Sequence, residues 1–112
     1  MMRERRKDDR AKVDLEASWE GALSQLRGSI VDLSTSGCFI LSDDKVRVGE
    51  LIRVIIQPPR QGELCIWGEV VYQIPEMGFA VRFTGADESD MKQLGLIVKA
   101  ELYGTKENLP AD

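Results

Sequence analysis

The sequence predicts a domain dominated by β-structure, a small six-stranded antiparallel barrel with a C-terminal α-helix. Six short segments have strand character, and turn-forming residues separate them at intervals of roughly ten residues. After Ala86 the apolar period lengthens from two to about 3.6, the mark of a terminal helix. A chain of 112 residues can hold one such domain with one core. With 43% hydrophobic and 30% charged residues it is neither collagen-like nor wholly disordered.

The first strand starts at Val13, with Val13, Leu15, Ala17 and Trp19 on one face and Asp14, Glu16 and Ser18 on the other. A turn near Glu20-Gly21 leads into the second, Leu26 to Leu33, which contains Gly28. Ser34-Thr35-Ser36 turns the chain into the third, Gly37 to Leu41. A loop from Asp43 to Gly49 precedes Leu51 to Gln57, a β-branched run stopped by Pro58-Pro59. Leu64 to Gln73 and Gly78 to Phe83 are the fifth and sixth strands, joined by a tight loop through Pro75-Glu76. Asp87 or Ser89 is the expected N-cap of a helix of about four turns, apolar at Met91, Leu94, Ile97, Val98 and Leu102. Gly95 weakens it, and Gly104 is its expected stop. That helix covers an open end or edge of the barrel. Trp19 and Trp67, alternating with apolar neighbours, are expected in the core or at a barrel end.

Charge divides the chain in two. Residues 3–12 hold six basic side chains (Arg3, Arg5, Arg6, Lys7, Arg10, Lys12) and three acidic ones (Glu4, Asp8, Asp9), a net +3. Since the whole chain is −4, the remainder is −7. Residues 1–12 therefore read as a flexible basic arm, 13–104 as barrel plus helix, and 105–112 as a disordered tail. Such an arm suits a small anion, whereas duplex nucleic acid requires basic charge over a wider surface. Single-stranded nucleic acid calls for aromatics interleaved with basic residues along exposed strands; these strands are acidic, and the chain has seven aromatics in all.

Two cysteines, Cys38 and Cys65, make no disulfide framework or metal-ligand spacing, and they read as half-buried strand residues. Histidine is absent, which removes the commonest general base and zinc ligand. No enzyme, metal site or cofactor is expected. No apolar run approaches the roughly 20 residues that span a bilayer. The N-terminal charges precede no apolar segment of a signal peptide, so the expectation is a mature, cytoplasmic protein with no membrane partner.

Two motifs remain. Arg6 and Arg10 form R-x-x-x-R, with Arg5 just ahead, and Asp32-Leu33-Ser34-Thr35-Ser36-Gly37 forms D-x-S-x-x-G at a strand-to-strand turn. Each alone is weak. Together, about 20 residues apart in a chain of this element order, they resemble the PilZ domain family. The likeness extends through Trp67-Gly68-Glu69-Val70-Val71, Gly78 to Phe83 and the closing helix, over about residues 3–103.

The resemblance implies a single-domain receptor for the bacterial second messenger cyclic di-GMP, bound on the barrel exterior. Arg6 and Arg10 would be the paired arginines, and Asp32, Ser34 and Gly37 the turn motif. Guanidinium can grip phosphate, pair with guanine O6 and N7, and lie on a purine ring. A carboxylate and a hydroxyl can accept from the guanine N1–H and N2–H₂ edge. Gly37 would permit close backbone approach or a positive φ. Arg5 favours a stacked ligand pair, and Tyr72 is a candidate for stacking on guanine. The expected mechanism is closure of the arm over the ligand, which alters the surface seen by an unidentified effector in motility or biofilm regulation. The competing reading is a nucleotide-independent adaptor in motility or pilus machinery.

Overall fold

The computed structural model describes residues 10–21, 25–59 and 62–108. Its strands are β1 (Ala11–Glu20), β2 (Gln25–Leu33), β3 (Gly37–Leu41), β4 (Leu51–Gln57), β5 (Leu64–Ile74) and β6 (Gly78–Gly85), followed by α1 (Glu88–Asn108). All pairings are antiparallel, and the order β1-β2-β3-β6-β5-β4 closes on itself as a barrel. Closure gives each of the six strands a neighbour on both sides.

The alternation read in the sequence fills the barrel. Leu15, Ala17 and Trp19 of β1, Ile52, Val54 and Ile56 of β4, and Leu64, Ile66 and Val70 of β5 are buried. Trp19 meets Phe79 of β6 edge to face, with ring centroids 5.1 Å apart. Trp67 takes the barrel-end alternative and not the core, opposite Gly85 at the end of β6. Inward positions on β5 fall to Ile66 and Gly68, so Trp67 points outward and is 50% exposed.

Asp87 caps α1, its carboxylate accepting the Asp90 N–H at 2.9 Å. Asp90 then accepts the Cys65 N–H at 3.3 Å, tying the first turn to β5. Leu94, Ile97 and Val98 join the core, and the helix packs on β1 and β5. It continues through Gly104 to Asn108 rather than stopping at Gly104, which takes in the start of the expected tail. Glycine permits a helix stop but does not impose one. At the other end β1 begins at Ala11, two residues inside the expected arm.

Cys65 is half-buried and Cys38 fully buried; both are free thiols. Burial pushes the Cys38 thiol well above its ordinary 9.0, with Asp32 adding to the rise and Arg10 opposing it. As pH rises past about 9, the unfolded chain loses this proton while the folded chain keeps it. Stability attributable to Cys38 is therefore full below that pH and falls above it by about 1.4 kcal/mol per pH unit. Urea denaturation across this range should show a shallower decline in Cys38→Ala than in the wild type. Phe79→Ala, which empties the ring site against Trp19, is expected to lose about 3–5 kcal/mol in the same assay.

Candidate functional site

Turn chemistry organises the D-x-S-x-x-G segment. The Ser34 side chain is fully buried, and its Oγ accepts the N–H groups of Ser36 and Gly37, each at 3.1 Å. The Ser34 N–H donates to the Gly37 carbonyl at 2.9 Å, closing the β2–β3 connection. Ser34 thus spends its hydrogen-bonding capacity inside the turn. Gly37 does not lie in the left-handed region. It is required for another reason: a Cβ there would collide with the Val81 carbonyl oxygen, so glycine sets how closely β3 approaches β6.

Asp32 faces outward because of a bulge. Ile30 pairs with Ile40 and Asp32 with Phe39, leaving Val31 as an extra residue on β2. An uninterrupted alternation would send Ile30 and Asp32 to the same face, the core. With Val31 inserted, Ile30 and Leu33 are buried while the Asp32 side chain stays 27% exposed. Its Oδ1 accepts from Nη1 of Arg10 at 3.2 Å, so the second arginine of R-x-x-x-R meets the aspartate of the other motif. Arg6 and Arg5 lie outside the described residues.

A second bulge acts on Tyr72. Val70 pairs with Val81 and Tyr72 with Ala80, leaving Val71 as the extra residue on β5. Val70 is buried and Tyr72 is 52% exposed. The register then aligns Lys12, Asp32, Phe39, Ala80 and Tyr72 in one row across β1, β2, β3, β6 and β5. The Phe39 and Tyr72 ring centroids are 6.2 Å apart with planes tilted by 39°. Between them Ala80, though on the outward face, is only 8% exposed. The exterior therefore presents a carboxylate and an arginine beside an aromatic shelf.

Sequence reasoning did not single out Phe39, Ala80 or Arg82. Phe39 had a local signal, its outward position between Cys38 and Ile40. Arg82 on β6 lies across from Gly37 and donates to Glu69 at 2.6 Å. Among the described residues, no cluster of three or more Cys, Asp or Glu could hold a metal ion, and no helix is long and apolar enough to cross a membrane.

Ser34→Ala is expected to destabilise the fold by about 1–3 kcal/mol, because the buried N–H groups of Ser36 and Gly37 lose their acceptor. Denaturation of the ligand-free protein measures this; a change within a few tenths of the wild-type value would contradict the assigned turn role.

The sequence pattern of the PilZ domain matches residues 4–100. No curated protein sequence matches the chain. In structure the chain is similar to the PilZ domain of Escherichia coli YcgR with c-di-GMP. The TM-score is 0.76 at 17% identity, covering 93% of this chain and 96% of that one. It is also similar to the K. pneumonia MrkH–c-di-GMP complex (TM-score 0.78, 16% identity, 93% and 55% covered). For the Bacillus subtilis inhibitor of motility, MotI/DgrA, the values are 0.75 and 16%, with 96% and 54% covered. The chain spans about half the length of the MrkH and MotI/DgrA chains. At these identities the structural likeness is one of fold, while the match over residues 4–100 concerns the sequence itself: the chain belongs to the PilZ domain family.

Proposed function

We propose that this protein is a cyclic di-GMP receptor without catalytic activity, acting in the cytoplasm, where such a messenger signals. The supporting observation is the exterior row that sets Asp32, bonded to Arg10, beside the Phe39–Tyr72 shelf. The ligand carries two phosphates and two guanines, and each has a counterpart. Arg6 and Arg10 supply guanidinium groups for phosphate and for guanine O6 and N7. Asp32 is the acceptor for the guanine N1–H and N2–H₂ edge. Tyr72, half exposed beside Phe39, offers a ring face for purine stacking. Ser34 and Gly37 contribute by shaping the turn that presents Asp32, and Arg5 favours a second, stacked ligand.

In this mechanism residues 1–12 close over the nucleotide. Arg10 exchanges part of its contact with Asp32 for the ligand, and the altered surface is read by an effector protein in motility or biofilm control. Adaptor function without nucleotide is the second reading, favoured by the exposed apolar side chains Leu51, Trp67 and Met77.

Calorimetric titration separates the two. The receptor reading expects saturable, guanine-selective binding of cyclic di-GMP by the wild type, with neither GTP nor cyclic di-AMP replacing it. Arg6→Ala/Arg10→Ala should lose binding by a hundredfold or more, on the order of two charge-assisted contacts. Absence of heat with the wild type would overturn the receptor reading and leave the adaptor.

A further inference from the structure

Arg82 belongs to neither motif, yet the fold places it beside the glycine that ends the second. On β6 it is the direct cross-strand neighbour of Gly37. The next residue, Phe83, donates its N–H to the Ser36 carbonyl at 2.8 Å, so β6 is clamped to the motif turn. The close β3–β6 approach that demands glycine at 37 brings Arg82 there. Ala80, the floor of the aromatic shelf, is two residues away on the same outward face, about 7 Å along the strand.

The guanidinium is available. The Arg82 side chain is 59% exposed, and its contact with Glu69 runs through one nitrogen and one oxygen, Nη2 to Oε1 at 2.6 Å. An exposed, single-contact pair contributes little to stability and is readily exchanged. A phosphodiester anion or a guanine edge offers the same group two acceptors side by side. Glu69 meanwhile holds the arginine extended on the barrel surface and, once released, remains solvated.

We propose that Arg82 is a further ligand-contacting arginine, outside the R-x-x-x-R segment, held by Glu69 until cyclic di-GMP arrives and then transferred to the nucleotide. The assignment rests on the receptor reading above. It makes the site a three-sided grip, with Arg10 on one side, Asp32 at the end of β2 and Arg82 on β6.

Titration of cyclic di-GMP into the wild type, Arg82→Ala, Arg82→Lys, Glu69→Gln and the double variant Glu69→Gln/Arg82→Ala tests this, with thermal melts confirming that each is folded. Arg82→Ala should weaken binding by on the order of tenfold and Arg82→Lys by less, since lysine keeps the charge without the fork. Glu69→Gln should tighten binding severalfold in the wild-type background and not in the Arg82→Ala background. That dependence separates release of Arg82 from general loss of a nearby negative charge. Saturation by the wild type with unchanged affinity in the Arg82 variants overturns the Arg82 assignment alone. Failure of the wild type to bind overturns both this assignment and the receptor reading.

Discussion

Closing a small barrel imposes a strict inside–outside alternation on every strand, and one inserted residue reverses that alternation for all that follows. Two insertions of this kind, at Val31 and Val71, determine what the barrel exterior presents. Without the first, Asp32 would follow Ile30 into an interior lined by Ile40, Phe79 and Val81, where an unpaired carboxylate is costly. Without the second, Tyr72 would follow Val70 inward. At the end of β2, the same bulge returns Leu33 to the core immediately before the turn. Packing and site presentation are therefore one problem here, since the hydrophobic demand of the core anchors the strands on both sides of each bulge.

The D-x-S-x-x-G segment divides its labour accordingly. Ser34 is a buried acceptor that replaces missing backbone partners, and Gly37 is a spacing device between β3 and β6. Asp32 is the member whose side chain reaches the surface. Of the three candidate ligand contacts in this motif, Asp32 is an exposed carboxylate, and Ser34 and Gly37 also hold its turn. This matters for interpreting substitutions: loss of binding on changing Ser34 or Gly37 follows from a displaced turn as readily as from a lost contact, and ligand-free stability distinguishes the two.

Much of the architecture was legible because it is local. Strands β3 and β4 have the bounds expected from their runs and stops, Asp87 is one of the two caps expected, and the inward face of β1 followed its alternation. The sequence was ambiguous where a local signal allowed two outcomes. Trp67 has the composition of a core residue, but its phase relative to Ile66 sends it out. Gly104 allows a stop that the helix does not use. The aromatic shelf was not legible, because Phe39, Ala80 and Tyr72 come together only through pairings between strands distant in sequence. A trace of the bulges does exist in the adjacent apolar pairs Ile30-Val31 and Val70-Val71, which break a period of two. Their consequence for Asp32 and Tyr72 depends on knowing the partner strands' register.

The exterior position of this row also bears on how a ligand can be held. A barrel surface is convex, so a row of side chains on it can orient a nucleotide but not enclose it; a site with enough contact area needs a cover from elsewhere in the chain. Arg10 stands where such a cover would begin, one residue before β1 and already bonded to Asp32. Both charges are partly solvated, so their attraction is weak enough for exchange and sufficient to set direction. Arg82 with Glu69 repeats the arrangement on β6. In each case an acidic side chain keeps a guanidinium at the edge of the aromatic shelf, in a body that is otherwise acidic. On the proposed reading the free protein avoids exposing a concentrated positive field, which would attract polyanions in general, and gathers its arginines only around a ligand that satisfies several of them together.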